Sequence, residues 1–278
     1  MDKISNILPS ISEIIKRYRL TPNKKLGQNF ILDTDITDRI VLSAGNLKGI
    51  NVLEIGSGAG TLTRSLLASN AEKIVAVEMD VNCIKALETL IAANVERLKV
   101  VQGDALKIKE EEVIDYPAKV IANLPYNIGT ELVLKWITKT NLFESITVML
   151  QKEVVERMSA MPSTTHYGRL SIICQLLCEV EKKFDVEAHH FYPPPKVTSS
   201  IVTITPRKEP LYNANISKVE KMTQILFGQR RKMVRSILKN KVQNLESVLE
   251  ELNINPLARP ENLTLKNFCD LGDKIIPL

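Results

Sequence analysis

The chain has 278 residues, of which 44% are hydrophobic and 25% are charged. This composition is typical of a folded globular protein and argues against a disordered or fibrous one. No apolar run approaches the ~20 residues that cross a bilayer, so we expect no membrane segment. Acidic residues Asp2 and Glu13 stand among the basic residues of the N-terminal stretch, which also lacks the apolar core of a secretory signal. We therefore expect a cytoplasmic protein.

The net charge is +5, and the four cysteines form no CxxC pair. A reducing compartment with buried cysteines is the natural interpretation. The three histidines show no metal-ligand spacing and no pairing with a nucleophile, so we expect no metal ion.

The N-terminal part begins with an amphipathic helix predicted over residues 11–20. A polar loop follows, and Asp33 or Thr34 can cap a second helix that runs through Ile36 and Leu42.

The next stretch is a strand over residues 51–55, a glycine loop at Gly56-Ser57-Gly58-Ala59-Gly60 and a helix over residues 61–69. A strand, glycine loop and helix in this order open a nucleotide-binding doubly wound sheet. The spacing is GxGxG, not the GxGxxG of dinucleotide sites, which favours a nucleoside ligand without pyrophosphate. A glycine loop by itself is also compatible with a tight turn.

Polar residues follow three further predicted strands. Glu78 ends the strand over residues 73–77, Asp104 follows the strand over residues 99–101, and Asn123 follows the strand over residues 118–122. An acid at the position of Glu78 can accept both ribose hydroxyls, and Asp104 can accept from an adenine amino group. The strand ends therefore predict a ligand crevice at one edge of the sheet.

Residues Asn123-Leu124-Pro125-Tyr126 are suited to hold an amino group on an aromatic ring. Pro125 has a locked φ and biases Leu124 toward an extended backbone. The Asn123 side chain and the Leu124 carbonyl can then offer two acceptors to one NH2 group, while Tyr126 offers a face for stacking. Two acceptors that hold both N–H groups of an aromatic amine free its nitrogen lone pair for attack.

The remaining chain predicts strands over residues 145–150, 179–186 and 201–205, and helices over residues 152–161 and 167–177. After Pro206 the pattern is helical, with an apolar stripe of Val219, Met222, Leu226, Met233 and Ile237. We place the domain boundary there, giving domains 1–206 and 207–278.

The segment from Arg207 to Lys241 contains ten Lys or Arg residues, opposed only by Glu209 and Glu220. Such a block favours a polyanionic partner such as nucleic acid, and the alternative is a solvated basic face without a partner. The candidate RNA-binding residues are Arg230, Arg231, Lys232 and Arg235.

Taken together, the motifs resemble the rRNA adenine N6,N6-dimethyltransferase family of the small ribosomal subunit. They cover nearly the whole chain, at residues 26–30 (LGQNF), 54–58 (EIGSG), 103–105 (GDA), 123–126 (NLPY), 167–168 (YG), 191–199 (FYPPPKVTS), 229–232 (QRRK) and 259–261 (RPE). The resemblance implies an α/β class I S-adenosylmethionine (SAM) methyltransferase fold, with a Rossmann-like seven-stranded sheet and a small all-helical C-terminal domain. It also implies dimethylation of two adjacent adenines in the 3′-terminal hairpin loop of 16S rRNA, with a role in small-subunit biogenesis. The implied partner is small-subunit rRNA or the immature subunit, and we expect a monomer.

Carried over by position, the resemblance assigns residues to two sites. The SAM-binding residues are Gln28, Asn29, Ile31, Gly56, Gly58, Glu78, Asp104 and Asn123. Ile31 replaces the usual leucine, a mild change if its backbone makes the contact. The target amine is assigned to Asn123, Leu124, Pro125 and Tyr126, with Phe191 stacked on the base opposite Tyr126. The alternative for Phe191 is packing beneath the prolines at 193–195.

Three other functions remain open from the sequence. The first is an RNA-binding assembly factor with a relic SAM pocket, which the intact site residues disfavour. The second is a DNA adenine methyltransferase, which the lack of a large target-reading insert disfavours. The third is an NAD oxidoreductase, which the glycine spacing disfavours.

Overall fold

The computed structural model describes residues 8–23, 26–139, 142–239 and 241–277. It divides into two compact units. The first comprises the described residues up to Lys152 together with Glu181–Thr205, and the second comprises Glu153–Val180 together with the described residues from Pro206 onward.

The strands are β1 (Phe30–Ile31), β2 (Asn51–Ile55), β3 (Ile74–Glu78), β4 (Leu98–Gln102), β5 (Ala118–Asn123), β6 (Ser145–Gln151), β7 (Cys178–Val186), β8 (Phe191–Tyr192) and β9 (Ser199–Pro206).

The α-helices are α1 (Ile11–Arg17), α2 (Thr34–Ser43), α3 (Thr61–Ala68), α4 (Val81–Ala93), α5 (Gly129–Ile137), α6 (Lys152–Met158), α7 (Arg169–Leu177), α8 (Ile216–Phe227), α9 (Val234–Leu238), α10 (Leu245–Glu251) and α11 (Leu265–Ile275). Short 3-10 helices span Glu110–Glu112, Ala188–His190 and Pro260–Asn262.

Seven strands form one sheet in the order β4-β3-β2-β5-β6-β9-β7. The five strands from β4 to β6 are parallel, and β9 runs antiparallel to β6. Strands β2 and β3 are buried along their whole length, which explains why most of their residues are apolar. The seven-stranded Rossmann-like sheet predicted from the sequence is confirmed.

The chain order reverses between β2 and β5, because β3 follows on one side of β2 and β5 pairs with its other side. In open α/β sheets, ligands bind outside the carboxyl ends of the strands at such a switch point. The sheet therefore places the ends of β2 and β5 at the expected position of a ligand site.

The N-terminal segment lies beside this edge. Helix α1 begins with a capping box in which Ser10 and Glu13 satisfy each other's backbone N–H groups, and α2 is capped by Asp33, whose side chain accepts from Asp35 N. Strand β1 pairs antiparallel with β8, so that Phe30 opposes Tyr192 and Ile31 opposes Phe191.

The second unit includes a segment that the sequence assigned to the first domain. The predicted boundary lies one residue from the change of unit at Pro206, but residues 153–180 group with the C-terminal residues. Buried Tyr167 shows why: its hydroxyl donates to the Leu263 carbonyl at 2.9 Å, and its ring packs edge-on against Phe227. Residues 207–239 and 241–277 contain helices and turns and no strand.

The predicted apolar stripe is interrupted in the structure. Helix α8 ends at Phe227 and α9 begins only at Val234, so the stripe does not lie on one continuous helix. Val219, Met222, Leu226 and Ile237 are buried, whereas Met233 is 40% exposed. The basic residues at 230–232 consequently lie in the turn between two helices.

Candidate active site

A crevice opens at the carboxyl edge of the sheet, where the ends of β2, β3 and β5 meet the loop after β4. Its lining brings together segments that are far apart in the chain: 26–31, 55–59, 61–62, 77–79, 103–105, 123–126 and 128. All eight predicted SAM-binding residues are among them, as are Leu124, Pro125 and Tyr126.

The glycine loop contributes residues 56–59 to the lining of this crevice. Gly56, Gly58 and Gly60 all have positive φ, at 73°, 54° and 88°. A Cβ on Gly58 would stand 3.0 Å from Cδ1 of Phe30, so a larger residue would be strained and crowded there. Buried Ser57 lies in the same loop, and its hydroxyl has no hydrogen-bond partner among the described residues.

Glu78 is the residue that ties the loop to β3. Its Oε2 accepts from the Gly58 backbone N–H at 2.9 Å, and its Oε1 accepts from the N–H groups of Met79 and Asp80 at 2.8 and 2.9 Å. Burial raises the pKa of this carboxyl, although the three backbone donors act in the opposite direction. The carboxylate is thus fixed in position and still has lone pairs to offer a ligand.

Asn123 occupies the last position of β5. Its Nδ2 donates to the backbone carbonyl of Asn29 at 3.2 Å. Because that bond uses the donor end of the amide, Oδ1 is the end left as an acceptor. The fixed acceptor that the sequence predicted at this position is therefore present with a defined orientation.

Other predicted residues hold the N-terminal segment in place. Gln28 accepts from Asn23 N at 2.8 Å through Oε1 and donates to Asp80 Oδ2 at 3.1 Å through Nε2, so both ends of its amide have protein partners. The Ile31 carbonyl accepts from the Thr61 hydroxyl at 2.5 Å. These contacts anchor the wall of the crevice to α3 and α4.

Phe191 is absent from the crevice lining. Its side chain is 3% exposed and packs in the main hydrophobic core with Ile31, Val186 and Ile201. The cause is the β1–β8 register, which puts Phe191 opposite Ile31 on the core side. Phe191 therefore has a packing role in this structure, and base stacking opposite Tyr126 stays a prediction.

A buried acid behind the crevice was not singled out from the sequence. Glu54, on β2, is 1% exposed, accepts from the Thr63 hydroxyl at 2.8 Å through Oε2, and has no partner for Oε1 among the described residues. Burial raises the pKa of Glu54 to about 8. Its sequence signal was its place inside an apolar strand, where an acid is unexpected.

The four candidate RNA-binding residues differ in their surroundings. Arg230 is half-buried. Its Nε donates to Glu261 Oε2 at 2.7 Å, and its Nη2 donates to the Thr165 carbonyl at 2.9 Å. Arg231, Lys232 and Arg235 are exposed. No ion pair involves these three side chains within the described ranges.

The comparison with protein families decides the assignment. The family model described as ribosomal RNA adenine dimethylase matches residues 19–276. The chain belongs to the ribosomal RNA adenine dimethylase family. The predicted resemblance, the methyltransferase fold and the enzyme class are thereby confirmed.

Relatives in this dimethylase family cover nearly the whole chain. The ribosomal RNA small subunit methyltransferase A of Wolbachia sp. subsp. Brugia malayi (strain TRS) is 44% identical over 261 residues, which cover 94% of this chain and 100% of the relative. The protein of the same name from Paramagnetospirillum magneticum is 43% identical over 265 residues, covering 95% of this chain and 94% of the relative.

Solved structures agree with the family. The crystal structure of a dimethyladenosine transferase from Plasmodium falciparum superposes with a TM-score of 0.74 at 30% identity, covering 86% of this chain and 94% of that one. The crystal structure of the 23S rRNA methyltransferase ErmE has a TM-score of 0.70 at 24% identity, covering 90% of this chain and 100% of that one, and shows a shared fold. The fold and the dimethylase family together imply a SAM-type methyl donor.

Two further findings concern the part of the chain that the structure describes. It holds no cluster of three or more His, Cys, Asp or Glu side chains suited to a metal ion. None of its helices has both the length and the apolar character needed to cross a bilayer.

Proposed function

We propose that this dimethylase-family member transfers methyl groups from SAM to N6 of two adjacent adenines in the 3′-terminal hairpin loop of 16S rRNA, and thereby acts in small-subunit biogenesis. Its substrate is the rRNA or the immature subunit, and the enzyme works as a cytoplasmic monomer. The observation that carries the proposal is the orientation of Asn123, whose Nδ2 is engaged by Asn29 while Oδ1 remains an acceptor.

The charges of the crevice support SAM as the donor. Among the described lining residues, Glu78 and Asp104 are acidic and none is Lys or Arg. That lining suits a ligand with a sulfonium, an ammonium group and a nucleoside, and disfavours the anionic pyrophosphate of NAD. Glu78 would hold the ribose and Asp104 the adenine amino group, with the N–H groups of the glycine loop and the free Ser57 hydroxyl nearby.

When bound, SAM supplies an already activated methyl group, so the protein has no need of a nucleophile or a covalent enzyme intermediate. The chain's own residues have to hold and orient the target amine. In the first transfer, Asn123 Oδ1 and the Leu124 carbonyl accept the two N–H groups of the amine, and Pro125 restricts the backbone between them. In the second transfer, the monomethylated amine has one N–H left to donate. Each transfer releases one proton from N6 to solvent and leaves S-adenosylhomocysteine. Tyr126 supplies a face for the adenine ring.

The RNA side of the proposal rests on the exposed basic residues. Arg231, Lys232 and Arg235 are exposed, and they suit contacts with phosphate groups. A target adenine must leave its stack to enter the crevice, and this is easier in a loop than in a duplex.

Mass spectrometry of small-subunit rRNA tests the proposal directly. We expect N6,N6-dimethyladenine at two adjacent positions of the 3′-terminal hairpin in cells with the protein and its loss in cells without it. Complementation with Asn123→Ala, compared with wild type at equal protein level, tests whether the modification requires this site. Unchanged dimethylation in cells lacking the protein, or a modification at another RNA site or on DNA, would refute it.

A further inference from the structure

Tyr126 is held at its hydroxyl as well as through its backbone. The Tyr126 Oη and Ser199 Oγ atoms are 2.5 Å apart, a direct hydrogen bond between residues 73 positions apart in sequence. Tyr126 is half-buried and lines the crevice, whereas Ser199 is fully buried and lies outside the lining. Burial raises the pKa of Tyr126, so the phenol remains protonated at neutral pH.

Ser199 lies at a well-anchored position in the sheet. It is the first residue of β9 and opposes Gln151 at the end of β6. The next residue, Ser200, donates to Asp185 Oδ1 at 2.6 Å, and Lys152 Nζ lies 2.9 Å from the other oxygen of that carboxylate. Backbone pairing with β6 therefore fixes the strand start, and the Ser200 hydroxyl is engaged with Asp185 and not with Tyr126.

We propose that Ser199 is a positioning residue that fixes the position of the Tyr126 ring for the target base. The backbone at Pro125 restrains one end of the ring and the Ser199 hydroxyl restrains the other, so the stacking face exists before RNA arrives. Preorganisation of this kind favours capture of the flipped base and its alignment, and it leaves the donor site untouched. The inference rests on the proposed function, because it assumes that the ring of Tyr126 receives an adenine.

Two substitutions remove the same hydrogen bond from opposite ends. Ser199→Ala removes the acceptor or donor on β9, and Tyr126→Phe removes the phenolic hydroxyl while keeping the ring. Ser200→Ala is the matched control, since it deletes a buried hydroxyl one residue away that bonds Asp185 instead. Ser199→Thr keeps a hydroxyl on a β-branched residue that suits a strand.

We expect Ser199→Ala and Tyr126→Phe each to lower kcat/KM for the rRNA substrate about three- to tenfold, the usual effect of one net hydrogen bond. The double variant should lose no more than either single one, because both remove one interaction. SAM affinity by calorimetry should stay within about twofold of wild type, and Ser199→Thr should restore most of the rate.

Three results would overturn the inference: equal rates for Ser199→Ala and Ser200→Ala, losses that multiply in the double variant, or a much larger loss for Tyr126→Phe than for Ser199→Ala. The last would mean that the Tyr126 hydroxyl acts on the substrate itself.

A second readout does not need activity. The 13Cζ chemical shift of labelled Tyr126, assigned with Tyr126→Phe, should change in Ser199→Ala and stay unchanged in Ser200→Ala. An unchanged 13Cζ chemical shift in Ser199→Ala would refute the hydrogen bond between Tyr126 and Ser199, whatever the activity of the wild type. A wild type that is inactive on rRNA would by itself refute only the proposed function.

Discussion

The side-chain amide of Asn123 donates to the backbone carbonyl of Asn29 across 3.2 Å, although 94 residues separate the two in sequence. A side-chain amide presents one donor end and one acceptor end, so this single bond determines which end faces the crevice. The N-terminal segment therefore does more than cover the site. It sets the polarity of the group proposed to hold the target amine.

Replacement of Asn123 tests that relationship. Asn123→Ala should lower the single-turnover rate of methyl transfer at saturating SAM by about 10- to 100-fold, since alignment of the amine matters most in the transition state. Asn123→Asp keeps an acceptor but cannot donate to the Asn29 carbonyl, and it should be impaired as well. If Asn123→Asp retained the wild-type rate, the bond to Asn29 would be irrelevant to the chemistry.

Removal of the Glu78 carboxylate should weaken SAM binding. We expect Glu78→Ala to reduce affinity by about 1.5–3 kcal/mol, the worth of charge-assisted hydrogen bonds. Burial raises the pKa of Glu78, so on acidification it protonates at a higher pH than an ordinary glutamate and loses acceptor capacity. The SAM affinity of wild type should fall as pH is lowered.

Calorimetry from pH 8 down to pH 5 checks this dependence, with Glu78→Gln expected to show a flatter profile. Asp104→Asn is the matched control, because it removes the other carboxylate of the crevice and should keep the Glu78-dependent slope. If Glu78→Ala bound SAM with wild-type affinity, the role of Glu78 would be limited to accepting hydrogen bonds from Gly58 and from the backbone of residues 79 and 80.

Glu54 predicts a pH dependence of stability. Its folded pKa is about 8, against an ordinary value of 4.5, because burial disfavours the charged form. The folded protein binds the extra proton between these values, so the contribution of Glu54 to stability is present below the unfolded pKa and is lost as pH rises through about 8. Glu54→Gln should therefore gain stability relative to wild type between pH 5 and pH 9, by on the order of a few kcal/mol.

Urea unfolding at pH 5, 7 and 9 measures this difference, and Glu110→Gln provides a control whose difference from wild type should stay constant, because these pH values lie above both its lowered pKa and the ordinary value of 4.5. Burial raises the pKa of Glu110, but hydrogen bonds from Lys135 and Trp136 outweigh that effect and lower it. Its stabilisation is present above its unfolded pKa and is lost on acidification. A pH-independent difference between Glu54→Gln and wild type would mean that Glu54 is ionised in the folded protein.

We expect the basic residues in the turn between α8 and α9 to have two different roles. Arg231→Ala and Lys232→Ala should each weaken rRNA binding and reduce the slope of log affinity against log salt by roughly 0.7–0.9 if each contacts one phosphate. Arg230→Ala should instead lower the melting temperature, because it removes the bonds to Glu261 and the Thr165 carbonyl.

Filter binding of rRNA between 50 and 300 mM salt (on the order of physiological ionic strength) gives the slopes. Lys274→Ala is the control, since this partly exposed lysine pairs with Glu251 outside the basic turn. An unchanged slope in both Arg231→Ala and Lys232→Ala would place the RNA contact on other residues.

Phe191 should behave as a core residue. Phe191→Ala should destabilise the protein by about 3–5 kcal/mol, the usual effect of removing a buried phenylalanine ring. The folded fraction should still methylate at the normal rate. Tyr192→Ala is the adjacent control, because this aromatic is exposed and its loss should leave the melting temperature nearly unchanged. A Phe191→Ala variant with normal stability but weak RNA capture would instead indicate that the Phe191 ring contacts the target base.

Local patterns were sufficient for much of this protein. The buried parallel strands are predominantly apolar, GxGxG follows the first strand of the parallel sheet, and Asp33, one of the two predicted capping residues, caps α2. The carboxyl ends of parallel strands meet at one edge, so Glu78, Asp104 and Asn123 could be placed together from the strand pattern alone. These features depend on short-range propensity and on one topological rule.

Other features depend on contacts between distant segments, which no local pattern encodes. A two-residue strand pair turned Phe191 toward the core, and an apolar stripe by itself could not show that α8 ends at Phe227. The grouping of residues 153–180 with the C-terminal unit follows from packing around Tyr167. The bond between Tyr126 and Ser199 exists only because β9 returns antiparallel beside β6, which brings the start of one strand to the crevice formed by the end of another.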